Sequence, residues 1–334
     1  MIHLVILLNK YTHLINIGGI HLFMEETFKQ ASIWSIVWRV ILTSLVVELI
    51  SGIFLFIFPF QYSEIISLTG SLTLYYLIYK ITLSQIDKQN ISSLAITGRG
   101  HPDKKKLIPI GILTLLIAGT GYFFIFFILR IIISFISPDE FITPFMNMNF
   151  EGLDSTGPSL LYYFPVAVIA APIVEEIFFR GFVLNKWSEK YGNVKGVLFS
   201  SLLFMGIHIG SLLLPQLLMG ILCAVIYIKT KKIIYPILVH SFYNFFIILP
   251  TLIPNNAILE RGYTELFLPK QDIINDINIY ATLFVMFFLV AVISLLFYSK
   301  KLNQEQTPYL YNFEKYISKV PHETIPDERK FPEF

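Results

Sequence analysis

LIPIGILTLLIAGTGYFFIFFILR, from Leu107 to Arg130, is a run of 24 residues with no charged side chain before its last position. Crossing a hydrocarbon core about 30 Å thick as a helix takes roughly 20 mostly apolar residues, and this stretch exceeds that length. Lys104, Lys105 and Lys106 stand directly before it, as expected of a segment anchored at the membrane surface. In lipid every backbone N–H and C=O must be paired within the protein, which a lone strand cannot achieve. The stretch is therefore read as a membrane-crossing helix.

Comparable runs cover about 38–60, 64–82, 160–182, 194–211, 212–229, 233–253 and 278–299. With 107–130 they predict an all-α fold, a polytopic bundle of about eight transmembrane helices. Composition agrees: 55% of residues are hydrophobic and 14% charged, against about 25% charged in an ordinary soluble domain. A mean hydropathy of +0.66 over the whole length excludes a soluble domain on a single anchor. One cysteine, Cys223, excludes an internal disulfide and a cysteine-built metal cluster. The net charge of +2 says little as a total, and no nucleic-acid partner is expected.

The distribution of lysines sets an expected orientation. Lys80, Lys88, Arg99 and Lys104–Lys106 lie between the second and third spans, and Lys186, Lys190 and Lys195 between the fourth and fifth. Lys229, Lys231 and Lys232 lie between the sixth and seventh, and Lys300 and Lys301 follow the eighth. The intervening 137–159 is acidic, with Asp139, Glu140, Glu151 and Asp154, and 254–277 carries just Arg261 and Lys270 as cations. The pattern implies an integral multi-pass protein with both termini cytoplasmic, and the Ile-, Lys-, Phe- and Asn-rich composition points to a bacterial plasma membrane. Arg130, against this trend, is expected to snorkel.

Three regions follow: an N-terminal cytoplasmic or interfacial segment over 1–37, a transmembrane helical domain over 38–299, and a polar, loosely ordered cytoplasmic tail over 300–334. Met24, opening Met-Glu-Glu-Thr-Phe-Lys, is a candidate true start. The rival reading makes the first residues a short amphipathic surface segment. Gly210 and Ser211 join the fifth and sixth spans so tightly that these form a hairpin. In the tail, His322-Glu323 lacks the second histidine of a zinc-protease motif, Pro326 standing in its place.

Ionisable side chains inside a span cost about 2.5–3.5 kcal/mol each on insertion scales and by default mark function or a partner. Three spans hold them together. The fourth contains Ala170-Ala171-Pro172-Ile173-Val174-Glu175-Glu176-Ile177-Phe178-Phe179-Arg180, the fifth Phe204-Met205-Gly206-Ile207-His208, and the seventh His240-Ser241-Phe242-Tyr243-Asn244. Glu176 and Arg180, four apart, share a helix face and can pair. Glu175 lies about 100° around the helix, so one arginine cannot serve both carboxylates. His240 and Asn244 are also four apart, and Gly206 is expected to admit a close neighbour. Pro172 and Pro236 are expected to loosen backbone bonding near the polar groups. An unpaired Glu beside imidazoles in a dry cavity suits water activation. Two imidazoles and an amide can hold a metal or hydrogen-bond to an oxyanion. Taken singly, each residue is as readily an interhelical hydrogen-bonding group, and Glu48 and Gln216 show that isolated polar groups are tolerated. Glu176, Arg180 and Phe204 are read as structural support. His208 falls near the far end of its span while Glu175 and His240 lie nearer the Lys-rich side, so convergence requires a short, shifted fifth helix.

Glu175-Glu176-x-x-x-Arg180, Phe204-x-x-x-His208 and His240-x-x-x-Asn244 resemble, in order and without departure, the signature of the CAAX protease and bacteriocin-processing family, also called Abi. The resemblance covers about 160–250. It implies a helical core whose active site lies in an intramembrane cavity opening to the cytoplasm. Carried over by position, it makes Glu175 the base for the attacking water, assisted by His208, with His240 and Asn244 on the oxyanion. In the alternative, Glu175, His208 and His240 contribute to a divalent metal site, such as zinc. The implied activity is that of an intramembrane endopeptidase acting on a peptide or protein with a membrane-associated segment. Other classes remain: a non-catalytic scaffold or bacteriocin self-immunity protein, and an ion or proton transporter, for which no inverted pair of broken spans is evident.

Overall fold

The computed structural model describes residues 32–89, 91–135, 164–208, 213–249 and 270–316. The expectations placed on Met24 and the N-terminal segment up to 31, on 137–159, on the Gly210–Ser211 turn, on 251–269 and on the tail beyond 316 lie outside these residues.

Every regular element among the described residues is helical. In chain order they are α1 (Ile33–Ile57), α2 (Ser63–Lys88), the short α3 (Ser93–Thr97), α4 (Lys104–Phe135), a continuous rod α5 over 165–191, α6 (Asn193–Ile207), α7 (Leu213–Thr230), α8 (Ile234–Ile248), α9 (Lys270–Tyr298) and α10 (Pro308–Tyr316). Apart from α3 and α10, these fall on the eight apolar runs. Ile33–Ile57, Lys104–Ile132, Leu213–Thr230 and Ile274–Gln304 are long and apolar enough to cross a membrane. By contrast α6 and α8, 15 residues each, rise about 22 Å and stop short of a full crossing. The protein is an all-α membrane bundle.

The helix α1 begins at Ile33, ahead of the expected 38, because Ser32 caps it by accepting from the Ser35 N–H at 3.4 Å. Arg39, a charge inside this helix, donates to Gln85 Oε1 of α2 at 3.3 Å. Trp34, Trp38, Leu49 and Phe56 project from the exposed side of α1, a largely apolar surface suited to lipid that Glu48, also exposed, interrupts. The opposite case is α7, whose residues Leu222–Ile228 are all buried. Such a helix, apolar all round, belongs at the centre of a bundle.

Around α7 the buried residues of α4, α8 and α9 form one apolar cluster, and those of α1, α2, α3 and α10 form a second. The rod α5 runs between the two. Its Leu184 belongs to the first cluster, and its Phe178, Phe179, Phe182 and Val183 to the second. At the periphery α4 and α9 are joined by ring pairs, Phe123–Phe287 at 5.0 Å and Phe126–Tyr280 at 5.4 Å. Beyond them Arg130 does not snorkel: it is buried and pairs with Asp276 of α9 at 3.0 Å. A guanidinium close to lipid is better served by a carboxylate than by its own reach to water.

The first part of the tail is likewise more ordered than its polarity suggests. Tyr309 and Asn312 of α10 are buried. The Asn312 amide donates to Ala95 O at 3.0 Å and Lys231 O at 2.7 Å, while Tyr309 N donates to Asn185 Oδ1 at 3.1 Å. Polar side chains here satisfy backbone groups at the ends of other elements, so polarity does not mean looseness.

Candidate active site

The carboxylates sit where α5 changes its winding. Pro165–Ala170 and Ile177–Leu184 are wound as π-helix, with one α-helical stretch, Ala171–Glu176, between them. Pro165 and Pro172 contribute no N–H, so the tighter i→i+4 bonding is interrupted there. Pro236, expected to act similarly on α8, lies in that helix's first turn, where a proline costs little. The amide of Asn244, on α8, supports the first wide turn by donating to Ala167 O at 2.7 Å.

Glu176 is fully buried, and its Oε2 lies 3.1 Å from Arg180 Nε. Arg180 also donates from Nη2 to the Gly220 carbonyl of α7 at 3.1 Å, and its guanidinium lies 4.8 Å from the Phe204 ring centre. The expected four-residue pair is thus present, but Glu176 does more than meet Arg180. Its Oε1 accepts from His240 Nδ1 at 2.9 Å. An ionised carboxylate has no proton to give, so Nδ1 of His240 carries hydrogen and Nε2 points elsewhere.

His208 is oriented by the same logic with a different acceptor. The helix α6 ends at Ile207, leaving carbonyls of its last turn unpaired. His208, at the C-cap, brings its Nδ1 to 2.8 Å from Phe204 O. The Phe-x-x-x-His spacing is thus a helix cap, and a carbonyl acceptor again places the hydrogen on Nδ1. Phe204 packs 4.6 Å from the His208 ring and 5.6 Å from that of His240. Among the described residues nothing packs on Gly206: a Cβ there would meet none of their atoms within 4 Å.

Both Nε2 atoms converge on Glu175. Its Oε2 is 4.0 Å from Nε2 of His208 and 4.0 Å from Nε2 of His240. This is beyond direct hydrogen bonding and is a separation that one water oxygen can bridge. Side-chain exposure runs from 0% at Glu176 through 5% at His240 and 11% at Glu175 to 26% at His208, so the cluster opens on the His208 side. The shortness of α6 resolves the depth problem, since a helix of 15 residues ends part-way across the bilayer. Glu175, His208 and His240 are brought together, with Glu176, Arg180 and Phe204 behind them. Asn244 is turned to Ala167 and retains one amide hydrogen for another acceptor.

One member was missed from sequence. Tyr75 of α2 donates its hydroxyl to Glu175 Oε1 at 3.0 Å, so that Oε1 is held and Oε2 faces the imidazoles. A phenol in the middle of a span needs a hydrogen-bond partner, and that was the available signal.

The metal reading fits this geometry poorly. Tetrahedral zinc with bonds of about 2.0–2.1 Å sets its donors roughly 3.4 Å apart, whereas both Glu175–histidine separations are 4.0 Å. Among the described residues no group of three His, Cys, Asp or Glu side chains is placed to hold a metal ion.

Residues 157–246 match the family described as type II CAAX prenyl endopeptidase Rce1-like. Over 102 residues the chain is 35% identical to the "Putative membrane peptidase YdiL" of Bacillus subtilis (strain 168), a match covering 30% of this chain and 42% of that protein. The chain thus spans less than half the length of this curated relative. No solved structure matches it.

Proposed function

We propose that this chain, whose residues 157–246 match the Rce1-like family model, is an intramembrane endopeptidase of the CAAX protease and bacteriocin-processing family that cleaves with a water activated by Glu175. The observation that carries this is the position of one carboxylate oxygen 4.0 Å from two imidazole Nε2 atoms, each imidazole fixed from behind.

The roles follow from the hydrogen positions. His208, bonded to a neutral carbonyl, presents an Nε2 lone pair. A water between Glu175 and His208 gives one hydrogen bond to each, which orients its own lone pair toward a substrate carbonyl. Glu175 takes the proton as the water oxygen bonds to the carbonyl carbon, giving a tetrahedral oxyanion. His240 is backed by the Glu176 carboxylate. In its protonated form it donates from Nε2 to that oxyanion. The carbon–nitrogen bond then breaks, and the proton held on Glu175 passes to the departing amine. Tyr75 keeps the carboxylate from turning.

The substrate is a peptide or protein with a membrane-associated segment. It reaches the cluster from the more exposed His208 side, within a bacterial plasma membrane whose cytoplasmic face receives the Lys-rich helix ends. No metal is required by this scheme.

Purified protein in neutral detergent, tested against a library of membrane-anchored peptides with a mass-spectrometric readout, should cut a subset of them. Glu175→Gln should lower the rate by about 10²–10⁴-fold with unchanged thermal unfolding, and chelation should leave the rate intact. Full activity in Glu175→Gln removes the mechanism, and loss on chelation with rescue by zinc replaces it with a metal-based one.

A further inference from the structure

At the Lys-rich end of the bundle lies a cavity of about 310 Å³ walled by Lys106, Lys229, Lys231, Lys232, Lys315 and Glu305, together with Thr230, Tyr311 and Asn312. Five lysines and one glutamate thus contribute to the wall. That carboxylate is already divided, Oε1 lying 3.3 Å from Lys229 Nζ and Oε2 3.2 Å from Lys231 Nζ. These lysines also donate to backbone carbonyls: Lys229 to Lys300 O at 2.8 Å, Lys231 to Gln306 O at 2.5 Å and Lys232 to His101 O at 2.9 Å. Carbonyls direct an ammonium without cancelling its charge.

Two further features add to the positive field. The helix α4 opens with Lys104, Lys105 and Lys106 behind Asp103, whose Oδ1 accepts from the Lys105 N–H at 3.0 Å, so one carboxylate offsets part of three lysine charges. Lys231 and Lys232 stand just ahead of Ile233, the N-cap of α8, whose first turn has no acidic residue. A helix N-terminus carries partial positive charge and favours anions, so lysines there repel the helix they introduce. Lysines that merely orient a membrane protein can stay in water. Lys231 instead is 7% exposed and holds a left-handed backbone with φ of +61°, a strained conformation for a side-chain-bearing residue. Burial pushes its ammonium below the usual lysine range, Glu305 offsetting part of this and Lys229 adding to it.

We infer that this cavity binds a phosphoryl anion, presented by an anionic lipid headgroup or as free phosphate. Such a group supplies several acceptor oxygens and the compensating charge, at the end of the bundle where helix termini meet headgroups. The site is separate from the Glu175 cluster and its occupancy does not depend on proteolysis.

The test uses full-length protein in neutral detergent, titrated with phosphatidylglycerol, with phosphatidylcholine, and with inorganic phosphate against chloride at matched ionic strength. Native mass spectrometry and thermal unfolding are the readouts. Saturable binding of phosphatidylglycerol in preference to phosphatidylcholine, weakened about 30-fold by Lys106→Gln with Lys315→Gln (about fivefold per lysine), supports the site with a lipid source. Stabilisation by inorganic phosphate that the same pair of substitutions weakens supports it with a free-ion source. Both substituted lysines are exposed, so folding should persist, and Lys231→Gln adds a buried position. Equal binding of the two lipids with no effect of phosphate, or phosphoryl affinity unchanged by the paired substitution, overturns the inference.

Discussion

Adjacent carboxylates on an α-helical turn diverge by about 100°, and that divergence separates the tasks of Glu175 and Glu176. Glu176 is enclosed with Arg180 and His240, whereas Glu175 meets Tyr75 and the two Nε2 atoms. Replacing Glu176 by Gln removes charge without volume and leaves a buried guanidinium uncompensated. That costs about 3–5 kcal/mol and should show as a lower unfolding temperature and less folded protein. Tyr75→Phe removes one hydrogen bond to a charged group, worth about 1.5–3 kcal/mol. If Tyr75 holds the base in place, kcat should fall about tenfold or more with KM little changed, beside a drop of a few degrees in unfolding temperature. An unchanged kcat would reduce Tyr75 to packing.

The rod α5 and its neighbours show which elements could be read in advance. Lipid permits so few backbone solutions that apolar run length alone located eight helices, and four-residue spacings within them located the polar cluster. The spacing did not disclose that Phe-x-x-x-His is a cap at the end of α6, nor that Glu176 holds His240 as well as Arg180, because these depend on which helices touch. Tyr75 lies on α2, outside the quoted motifs. The packing of α10 was hidden by its polarity, which reports on water and not on backbone groups awaiting partners. Close approach was misplaced too: among the described residues nothing crowds Gly206, whereas Gly220 of α7 is where α6 comes close. A Cβ there would lie 3.2 Å from Ser201 Cα and 3.4 Å from its carbonyl oxygen. Gly220→Ala should therefore force α6 away from α7 at about 1–3 kcal/mol. A slower cleavage rate should accompany the loss, since α6 carries His208, and thermal unfolding beside the peptide assay would check both effects.

Across the whole molecule, two apolar clusters meet along α5, and the segment after α9 returns to tie their Lys-rich ends together. Glu305 is part of that tie. Burial raises its pKa, but Lys231 and Lys229 outweigh this and hold it below the ordinary 4.5. A carboxyl whose folded value lies below its unfolded one stabilises the fold above the unfolded value, and loses that contribution as pH falls through the folded one. The unfolding temperature of the native chain should therefore exceed that of Glu305→Gln at neutral pH, and the gap should close below about pH 4.5. The effect belongs to a partly solvated group, so it should amount to about 1 kcal/mol or less. A gap that widens on acidification would contradict the assignment.

Wide winding on both sides of Ala171–Glu176 also has a mechanical meaning. A π-turn packs more residues into each revolution than an α-turn does, so α5 stores spare chain length beside its reactive carboxylate. Passing one residue from wide to tight winding lengthens the rod without unravelling it, and slides the remainder of the helix by about 1.5 Å. Among the described residues, Glu175 is thus mounted on the one helix whose winding leaves room to telescope.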